Sequence, residues 1–449
     1  MAETGRIRVL ADRAQLAKPM APALALTTSA SLSMRPLLAY GVLGLPLAFA
    51  ALPIYVHVPR LYSDGLGVPL ATVGVTLLAV RILDALSDPL LGWASDRLAS
   101  RRLLILLSLP LLLVGMYGLL APPSGAGATW MAAMVFVVTL AFSAATINYG
   151  AWGAEIGTTP DERTRVVASR EGFALLGVVL AAALPGMLAA DESAGLAALA
   201  IVFVPIALVA AAITLLFAPP GRPRRVLRTA VLPTLVAALA HRPFVLLLAV
   251  FAVNGIAAAI PASTVLFFLA DVIGASRWSG VFLALYFLAG AASLPLWVRV
   301  ARRTGKLRAW LASMVLAVVT FVWAWTLGPG DHFAFAAICV FSGMALGADL
   351  AIPPAMLADL LARDTHPSEA RAGAWFGWWN FVTKANLALA AGLALPLLGV
   401  LGYASGARDP GALAALSAVY ALVPVGLKLG AASLLWMLRH RLDFEGAMT

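Results

Sequence analysis

The sequence is poor in charged side chains and in cysteine. Only 12% of its 449 residues are charged, and Cys339 is its one cysteine. A single cysteine excludes an internal disulfide framework, and we expect it to serve as small apolar filler. A soluble chain of this length could not bury side chains of which 62% are hydrophobic. The composition therefore predicts a polytopic helical membrane protein.

Histidine and the motifs of catalytic chemistry are equally scarce. The five histidines lie at or near the ends of apolar runs, at His57, His241, His332, His366 and His440. The sequence has no cluster of metal ligands, no nucleophile paired with a base and no glycine-rich nucleotide loop. It therefore predicts neither an enzyme, nor a resident metal or cofactor, nor transport driven by ATP.

Apolar runs long enough to cross a bilayer are abundant. A transmembrane helix needs about 20 mostly apolar residues. Twelve runs meet this requirement, at residues 36–58, 68–95, 102–121, 129–154, 170–190, 196–218, 241–269, 277–299, 306–328, 333–361, 373–401 and 411–438. The sequence thus predicts an all-α integral membrane protein of twelve transmembrane helices, called span one to span twelve below.

Basic residues are concentrated in alternate connections, and the net charge is +10. The N-terminal tail and the connections after the even-numbered spans are rich in arginine, whereas the other connections hold only Arg60, Arg277 and Arg408. By the positive-inside rule the arginine-rich connections are cytoplasmic, so both termini are cytoplasmic. This pattern accounts for the basic balance without a nucleic-acid partner.

The longest basic connection, APPGRPRRVLRTAVLP at 218–233, divides the chain into two six-span halves. Each half carries a Gly- and Arg-rich link after its second span, GWASDRLASRR at 92–102 and LWVRVARRTGKLR at 296–308. Paired six-helix bundles are the architecture of the major facilitator superfamily, and the first link resembles its signature G-x-x-x-D-R-x-x-x-R-R. That resemblance implies a substrate site at the midplane, between the halves.

These boundaries predict five regions. We expect a disordered cytoplasmic tail over residues 1–34, a first bundle over 35–218 and a central cytoplasmic loop over 219–240. A second bundle follows over 241–440, and a C-terminal tail over 441–449.

Three charges interrupt span two in the stretch VRILDALSDP at 80–89. Arg81, Asp84 and Asp88 are spaced i, i+3, i+7, so they share one helix face. Charges in a bilayer are costly, which predicts that they face the bundle interior or a wet cavity. Two carboxylates one turn apart suit Na⁺, or one of them carries a proton. The alternative is a purely structural pair of Arg81 with Asp84. Pro89 weakens the helix there and frees carbonyls for a cation.

Lys384 lies about ten residues into span eleven, in GAWFGWWNFVTKANLALA at 373–390. A buried lysine requires a counter-charge, and Asp84 or Asp88 across the inter-bundle cavity is the natural partner. The alternative is a partner in its own half, such as Asp359. Asn380, one turn earlier, is a further site candidate, and Trp379 is either a substrate contact or an interfacial anchor.

Further polar residues lie in spans four, five and ten. Asp349, followed by Pro353-Pro354, is a substrate or coupling candidate as well as a structural one, and the two prolines predict a break or bend in span ten. Arg170 and Trp152 are assigned to substrate contact or coupling. Ion pairs on the cytoplasmic side predict a gate, with members Asp96, Arg97, Glu155 and Arg163.

Together these motifs resemble the glycoside–pentoside–hexuronide:cation symporter family, over nearly all of residues 36–404. The most specific parts are VRILDALSDPLLGWASD at 80–96, the NYGAWGAE…DERTR…SREGF run at 148–173, and 357–390. The resemblance implies that Asp84 and Asp88 are carboxylates of the cation site and that Lys384 lies near it. It implies that Arg170 is tied to sugar binding and that Asn380 neighbours the cation.

The sequence also departs from that family. The sugar-binding members have an acid in span one, where this chain has none and Pro46 lies near the matching place. They have another in span four, where this chain has Thr146, which we therefore add to the cation-site candidates. With two carboxylates instead of three or more, H⁺ is favoured over Na⁺ as the coupling ion, and a galactoside substrate is disfavoured.

The sequence therefore predicts a cation-coupled secondary transporter that moves a small organic solute, such as a glycoside, by alternating access. The alternatives are an exporter, a transporter of lysolipids or other amphipathic molecules, and a non-transporting membrane assembly factor. We expect a monomer whose partners are the solute, the ion and membrane lipid. An Ala-rich composition with only four lysines indicates a bacterial inner membrane.

Overall fold

The computed structural model describes residues 32–98, 100–189, 192–221, 230–363, 372–404 and 406–442, and these residues are organised in helices. In the first half the long helices are Met34–Gly41 with Gly44–Val56, Leu70–Arg97, Arg101–Leu120, Ala128–Ile156, Pro160–Leu188 and Glu192–Phe217. In the second half they are Arg242–Phe267, Ser279–Thr304, Lys306–Phe321, His332–Arg363, Ala372–Val400, and Pro410–Ser417 with Val423–Met437. These helices match the twelve predicted spans in order.

Eleven of the helical segments in the described residues are long and apolar enough to cross a membrane. Span two, Leu70–Arg97, has 28 residues, whereas span three, Arg101–Leu120, has 20. Span two is distinguished by Arg81, Asp84 and Asp88 within its length, which lower its apolar character. The membrane-spanning helical fold of the prediction is confirmed.

Span five begins about ten residues earlier than predicted. Thr159 caps the helix by accepting from the backbone N–H of Glu162, whose carboxylate reaches back to the backbone of Thr159. Pro160 occupies the first helical position, where its missing N–H is harmless. Arg163, which was predicted to lie in a loop, therefore lies in the first turns of span five. The sequence TTPDER at 158–163 contains the capping residues and the proline that mark this helix start.

Prolines have different effects in different spans. In span one, Pro46 cannot donate to the carbonyl of Val42, and the N–H of Leu45 donates to it instead, at 3.1 Å. The helix is interrupted there, between Gly41 and Gly44. Span ten, in contrast, runs unbroken through Pro353 and Pro354. Of the predicted break or bend, the break is therefore wrong and the bend stays a prediction. Both prolines are buried among neighbouring helices, which hold the segment helical.

The contacts between the two halves are made by equivalent pairs of helices. Span two packs along span eleven, and span five packs along span eight. Span two is the second helix of the first half and span eleven is the fifth helix of the second half. Likewise, span eight is the second helix of the second half and span five is the fifth helix of the first half. Span four also packs against span eleven, and span ten packs against span five. The contact pattern is that of two equivalent six-helix units.

The central connection contains a helix within its described part. Val231–Ala240 packs against spans two, seven and eleven, so this part of the predicted loop 219–240 is ordered. The predicted disorder of residues 1–31 and the tail from residue 443 lie outside the described residues.

Candidate functional site

Lys384 of span eleven lies between the two carboxylates of span two. Its Nζ is 2.7 Å from Asp84 Oδ2 and 2.9 Å from Asp88 Oδ2, and it donates to Asp88 Oδ1 at 2.9 Å. Asp84 is 4% exposed and Asp88 is fully buried. The predicted contact across the interface is confirmed, and the alternative pairing with Asp359 is wrong because that carboxylate has other partners.

Span four completes this cluster through Ser143. Lys384 Nζ donates to Ser143 Oγ at 2.7 Å, and that hydroxyl donates to Asp84 Oδ1 at 3.0 Å. One turn further along, Asn380 Nδ2 donates to Thr146 Oγ1 at 3.1 Å. The structure therefore brings together all four residues predicted for a cation site. Ser143 was missed, although it lies one helical turn from Thr146 on the same face.

Arg81 does not share the burial of the acid pair. Its side chain is exposed, so it is not buried with the acid pair, and the expectation that it faces a wet cavity stays a prediction. Spacing explains the difference, because Arg81 is two turns, about 10 Å, from Asp88 along the helix. The tight contact between spans two and eleven extends from Asp88 in the other direction.

That tight contact is made by glycines. A Cβ on Gly92 would overlap the carbonyl of Gly373, and one on Gly377 would overlap the carbonyl of Asp88. With hydrogen atoms in place of side chains, the two backbones approach closely. The halves are therefore in direct contact on the side that the arginine-rich connections mark as cytoplasmic.

Asp96 extends this contact at the cytoplasmic end of span two. Its Oδ1 accepts from the backbone N–H of Gly373 and its Oδ2 from that of Ala374, both at 2.8 Å. These are the second and third residues of span eleven, so a carboxylate of the first half caps a helix N-terminus of the second half. Arg101 binds Asp96 at 2.7 Å and Glu155 at 3.2 Å.

A second cytoplasmic contact joins spans five and ten. Arg163 Nη1 lies 2.9 Å from Asp359 Oδ1, and Lys306 pairs with Asp359 Oδ2. All three side chains are buried. The predicted gate members Asp96, Glu155 and Arg163 thus lie in ionic contacts. The pair of Arg163 with Asp359 crosses the interface, and Asp96 crosses it through its backbone hydrogen bonds. Arg97 instead lies over the ring of Trp93, 4.1 Å from its centroid.

Arg170 lies in the interior of the first half, on span five. It donates to Glu171 Oε1 at 2.7 Å from Nε and 2.5 Å from Nη2, next to Tyr40 and Tyr149. These two tyrosines bind each other's backbone carbonyls and join spans one and four. The arrangement places a guanidinium among phenols at the junction of spans one, four and five.

Both tryptophans predicted to contact substrate are packing residues. Trp152 is buried, donates to the carbonyl of Pro219 at 3.1 Å and lies 4.9 Å from the guanidinium of Arg102. Trp379 is buried and stacks on Phe251, with ring centroids 3.8 Å apart. Both rings are covered by protein in this structure, and their assignment to substrate contact stays a prediction.

Asp349 pairs within the second half. Its Oδ2 accepts from Lys428 of span twelve at 2.5 Å, and its Oδ1 accepts from the indole of Trp310 at 2.9 Å. The structure does not bring Asp349 to Lys384. Asp349 of span ten instead forms a separate charge pair with Lys428 of span twelve, and Trp310 of span nine donates to the same carboxylate.

On the opposite side of the membrane, a polar contact closes one end of the second half. Asp271 Oδ2 accepts from the Tyr403 hydroxyl at 2.5 Å and from the Gly406 N–H at 2.9 Å. Burial, followed by the adjacent carboxylate, raises the pKa of Tyr403, so this phenol remains a hydrogen-bond donor at neutral pH. The contact ties the connection after span eleven to the end of span seven.

Comparison with known proteins agrees with this architecture. The family model described as "MFS/sugar transport protein" matches residues 36–443. Among solved structures, a bacterial homologue of the iron transporter ferroportin in its outward-facing state superposes with a TM-score of 0.64 at 17% identity, over 90% of this chain and all of that one.

Two further structures superpose equally well. The human organic anion transporter MFSD10 (TETRAN) gives a TM-score of 0.65 at 18% identity, over 89% of this chain and 99% of that one. The E. coli fucose:proton symporter FucP gives 0.64 at 12% identity, over 88% and 97%. At these identities the likeness concerns the fold.

Proposed function

The chain belongs to the MFS/sugar transport protein family, and on that premise we propose that it is a proton-coupled secondary transporter of a small organic solute. The coupling site is the cluster of Asp84, Asp88 and Lys384. The observation that carries the proposal is the charge of this cluster. Two buried carboxylates share one ammonium, which leaves one negative charge of the cluster unbalanced.

An unbalanced buried charge favours the binding of a cation. Asp88 is fully buried, and its Oδ2 accepts no geometrically acceptable hydrogen bond from the described residues, although Lys384 Nζ is near it. A charge that is taken out of water without full compensation is costly, and protonation or a bound metal ion removes that cost. A scaffold protein would gain stability by losing these groups.

The position of Lys384 favours H⁺ over Na⁺. Its ammonium occupies the space between the two carboxylates, where a metal ion would be held by both. A proton on Asp88 requires no such space, whereas Na⁺ would have to displace the lysine and recruit further oxygens, such as those of Ser143 and Thr146. Na⁺ coupling is the second form of the proposal, and the experiment below separates the two.

Coupling follows from where the cluster lies. Lys384 belongs to the second half and the carboxylates to the first, so their attraction favours the state in which the halves touch. Neutralising Asp88 weakens that attraction and leaves other states unaffected. A cation that binds the two states unequally shifts their populations, and this is the requirement for coupled transport.

The solute would bind between the halves, on the side of the Lys384 cluster that faces away from the cytoplasmic glycine contact. A glycoside is supported by the family description and by Arg170, because a guanidinium donates directional hydrogen bonds. Because span one has no acid, a sugar would be bound chiefly by neutral groups and by arginine.

The test follows thermal unfolding of the purified protein against pH, and against Na⁺ at constant ionic strength. A ligand that binds only the folded state raises the midpoint as its concentration exceeds its Kd. We expect a pH dependence in the wild type that Asp88→Asn lacks, with no specific effect of Na⁺. Asp349→Asn is the matched control, since it removes a buried carboxylate outside the cluster.

Each other outcome has a definite meaning. A Na⁺-specific rise in midpoint that Asp88→Asn abolishes would replace H⁺ by Na⁺. If neither cation changes the midpoint and Asp88→Asn matches the wild type, the carboxylates are structural and the symporter proposal fails.

A further inference from the structure

The second half contains a cavity that is separate from the Lys384 cluster. It encloses about 510 Å³, including its opening, and is lined by spans seven, eight, nine, ten and twelve. None of its lining residues comes from the first half or from span eleven. The cavity therefore stays within one rigid half when the two halves move.

Four polar side chains converge on this largely apolar space. Asp349 and Lys428 line it at one end as an ion pair, with Tyr286 and Ser342 on neighbouring helices. Asp349 is near enough to the Tyr286 phenol to interact with it electrostatically. An apolar pocket with a few convergent polar groups is the usual form of a small-molecule site.

Hydrogen-bonding capacity remains unused in this group. An ammonium has three N–H donors, and among the described residues Lys428 donates only to Asp349. The Tyr286 hydroxyl makes no hydrogen bond to another described residue, while Ser342 donates to the carbonyl of Ile338 in its own helix. Buried donors without acceptors are unfavourable, so an acceptor atom in the cavity would stabilise this arrangement.

The charges that line the cavity limit the kind of ligand that could supply this acceptor atom. Asp349 and Lys428 already neutralise each other, so a formal charge on the ligand would be uncompensated in a region of low dielectric. A hydroxyl group suits the site, since it accepts from Lys428 or Tyr286 and donates to Asp349. The remaining wall is apolar, with Ala258, Phe321 and Leu346 among its residues.

We propose that this cavity is a second binding site, which takes a small neutral amphipathic molecule with a hydroxyl-bearing end and an apolar body. The hydroxyl contacts Lys428, Asp349 and Tyr286, and the apolar body lies against spans seven and nine. The proposal does not depend on the transport function, because no residue of the Lys384 cluster contributes to the cavity.

The test is equilibrium dialysis of radiolabelled phenylbutanol against the full-length protein in lipid nanodiscs, with empty nanodiscs as the measure of partition into lipid. Phenylbutyrate and phenylbutylamine carry the same apolar body with a negative or a positive end. We expect saturable binding of one phenylbutanol per protein, and weaker binding of both charged analogues by about tenfold or more, equivalent to ~1.4 kcal/mol.

Variants assign the binding to the cavity. Ala258→Leu fills it and should weaken phenylbutanol binding at least tenfold, or by about 1.4 kcal/mol. Ala388→Leu, at an exposed position of span eleven, is the control for added volume. Tyr286→Phe removes one hydroxyl without adding volume and should weaken binding about threefold to tenfold. Tyr403→Phe is its control, and it should leave binding unchanged.

Three results would overturn the proposal. Uptake no greater than that of empty nanodiscs would mean that water fills the cavity. Binding that survives both Ala258→Leu and Tyr286→Phe but is lost in Asp88→Asn would place the probe between the halves. Equal binding of the three probes would show that the ion pair does not select a neutral end. Because Tyr286→Phe adds no atoms, the proposal stays testable even if Ala258→Leu does not fold.

Discussion

Two buried lysines of the second half meet carboxylates in different ways. Lys384 reaches across to span two and is shared by Asp84 and Asp88, whereas Lys428 stays within its own half and is held by Asp349 alone. The side chains are 15% and 9% exposed. Both contacts are ion pairs of a lysine with aspartate. They differ in where the lysine and its partners lie.

Location decides what each pair can do. We propose that the Lys384 cluster changes with each movement of the halves and that its unbalanced charge makes it respond to cations. The Lys428 pair is balanced and lies in a single half, so it is insensitive to that movement. A coupling role is therefore expected for the first pair and a role in stability or ligand binding for the second.

Replacing Lys384 should have the largest effect. In Lys384→Met two carboxylates remain buried without an ammonium, and removing one partner of a buried pair costs about 3–5 kcal/mol. We expect that loss in the free energy of unfolding at neutral pH, measured by SDS titration in mixed micelles. Acidification should restore part of it by protonating the carboxylates. Lys384→Arg, which keeps the charge, is the control, and a loss below ~1 kcal/mol would contradict the role of Lys384 as their counter-ion.

Replacing Lys428 should destabilise the protein without separating the halves. In Lys428→Met, Asp349 keeps only the indole of Trp310, so we expect a loss of about 3 kcal/mol. Movement is measured as the distance between spin labels at Leu98→Cys and Thr304→Cys, two exposed cytoplasmic-side positions, with Cys339 replaced by alanine. The distance should stay unchanged in Lys428→Met and lengthen in Lys384→Met. The same lengthening in both variants would refute the contrast.

Gly92→Ala should separate the halves directly. Its new methyl group would overlap the carbonyl of Gly373, and overpacking of this kind costs about 1–3 kcal/mol. We expect a longer label distance at the cytoplasmic side. Gly280→Ala adds the same group where no atom lies within 4 Å, and it should leave the distance unchanged. If Gly92→Ala behaves like this control, spans two and eleven are less tightly packed than described.

Ser143→Ala should have the smallest effect. The hydroxyl links Lys384 to Asp84, and a hydrogen bond contributes about 1 kcal/mol, or more when a partner is charged. We expect a loss of that size in the free energy of unfolding, largely absent when Lys384 is already methionine. Ser263→Ala is the control, since its hydroxyl bonds to its own helix. Full additivity with Lys384→Met would place Ser143 outside the cluster.

The sequence was sufficient to predict the helices and the central cluster. Apolar run length and alternating arginines are local signals, and they located all twelve spans. The cost of burying Lys384 required a counter-charge, and span two offered the only acid pair deep in a predicted span. Asp84 and Asp88 follow from this requirement. Asn380 follows from its place one turn before Lys384, and Thr146 from the resemblance to the symporter family.

Other features depend on packing, which one sequence does not display. Arg101, Lys306 and Lys428 were missed as partners of Glu155, Asp359 and Asp349, because pairing between distant helices leaves no local pattern. The aromatic side chains of Trp152 and Trp379 are suited equally to substrate contact and to packing, and only their burial distinguishes the two. The capping box that begins span five was visible in the sequence and was passed over.

In the proposed mechanism, a cation on Asp88 weakens the attraction between Lys384 and span two and loosens the cytoplasmic contact between the halves. This mechanism is tested most directly by the distance between labels at Leu98→Cys and Thr304→Cys, followed against pH and against Na⁺ in the wild type and in Asp88→Asn. We predict a longer distance in the wild type as pH falls, and a distance in Asp88→Asn that is already long and insensitive to pH. A wild-type distance that no cation changes, or an identical pH response in Asp88→Asn, would contradict the claim.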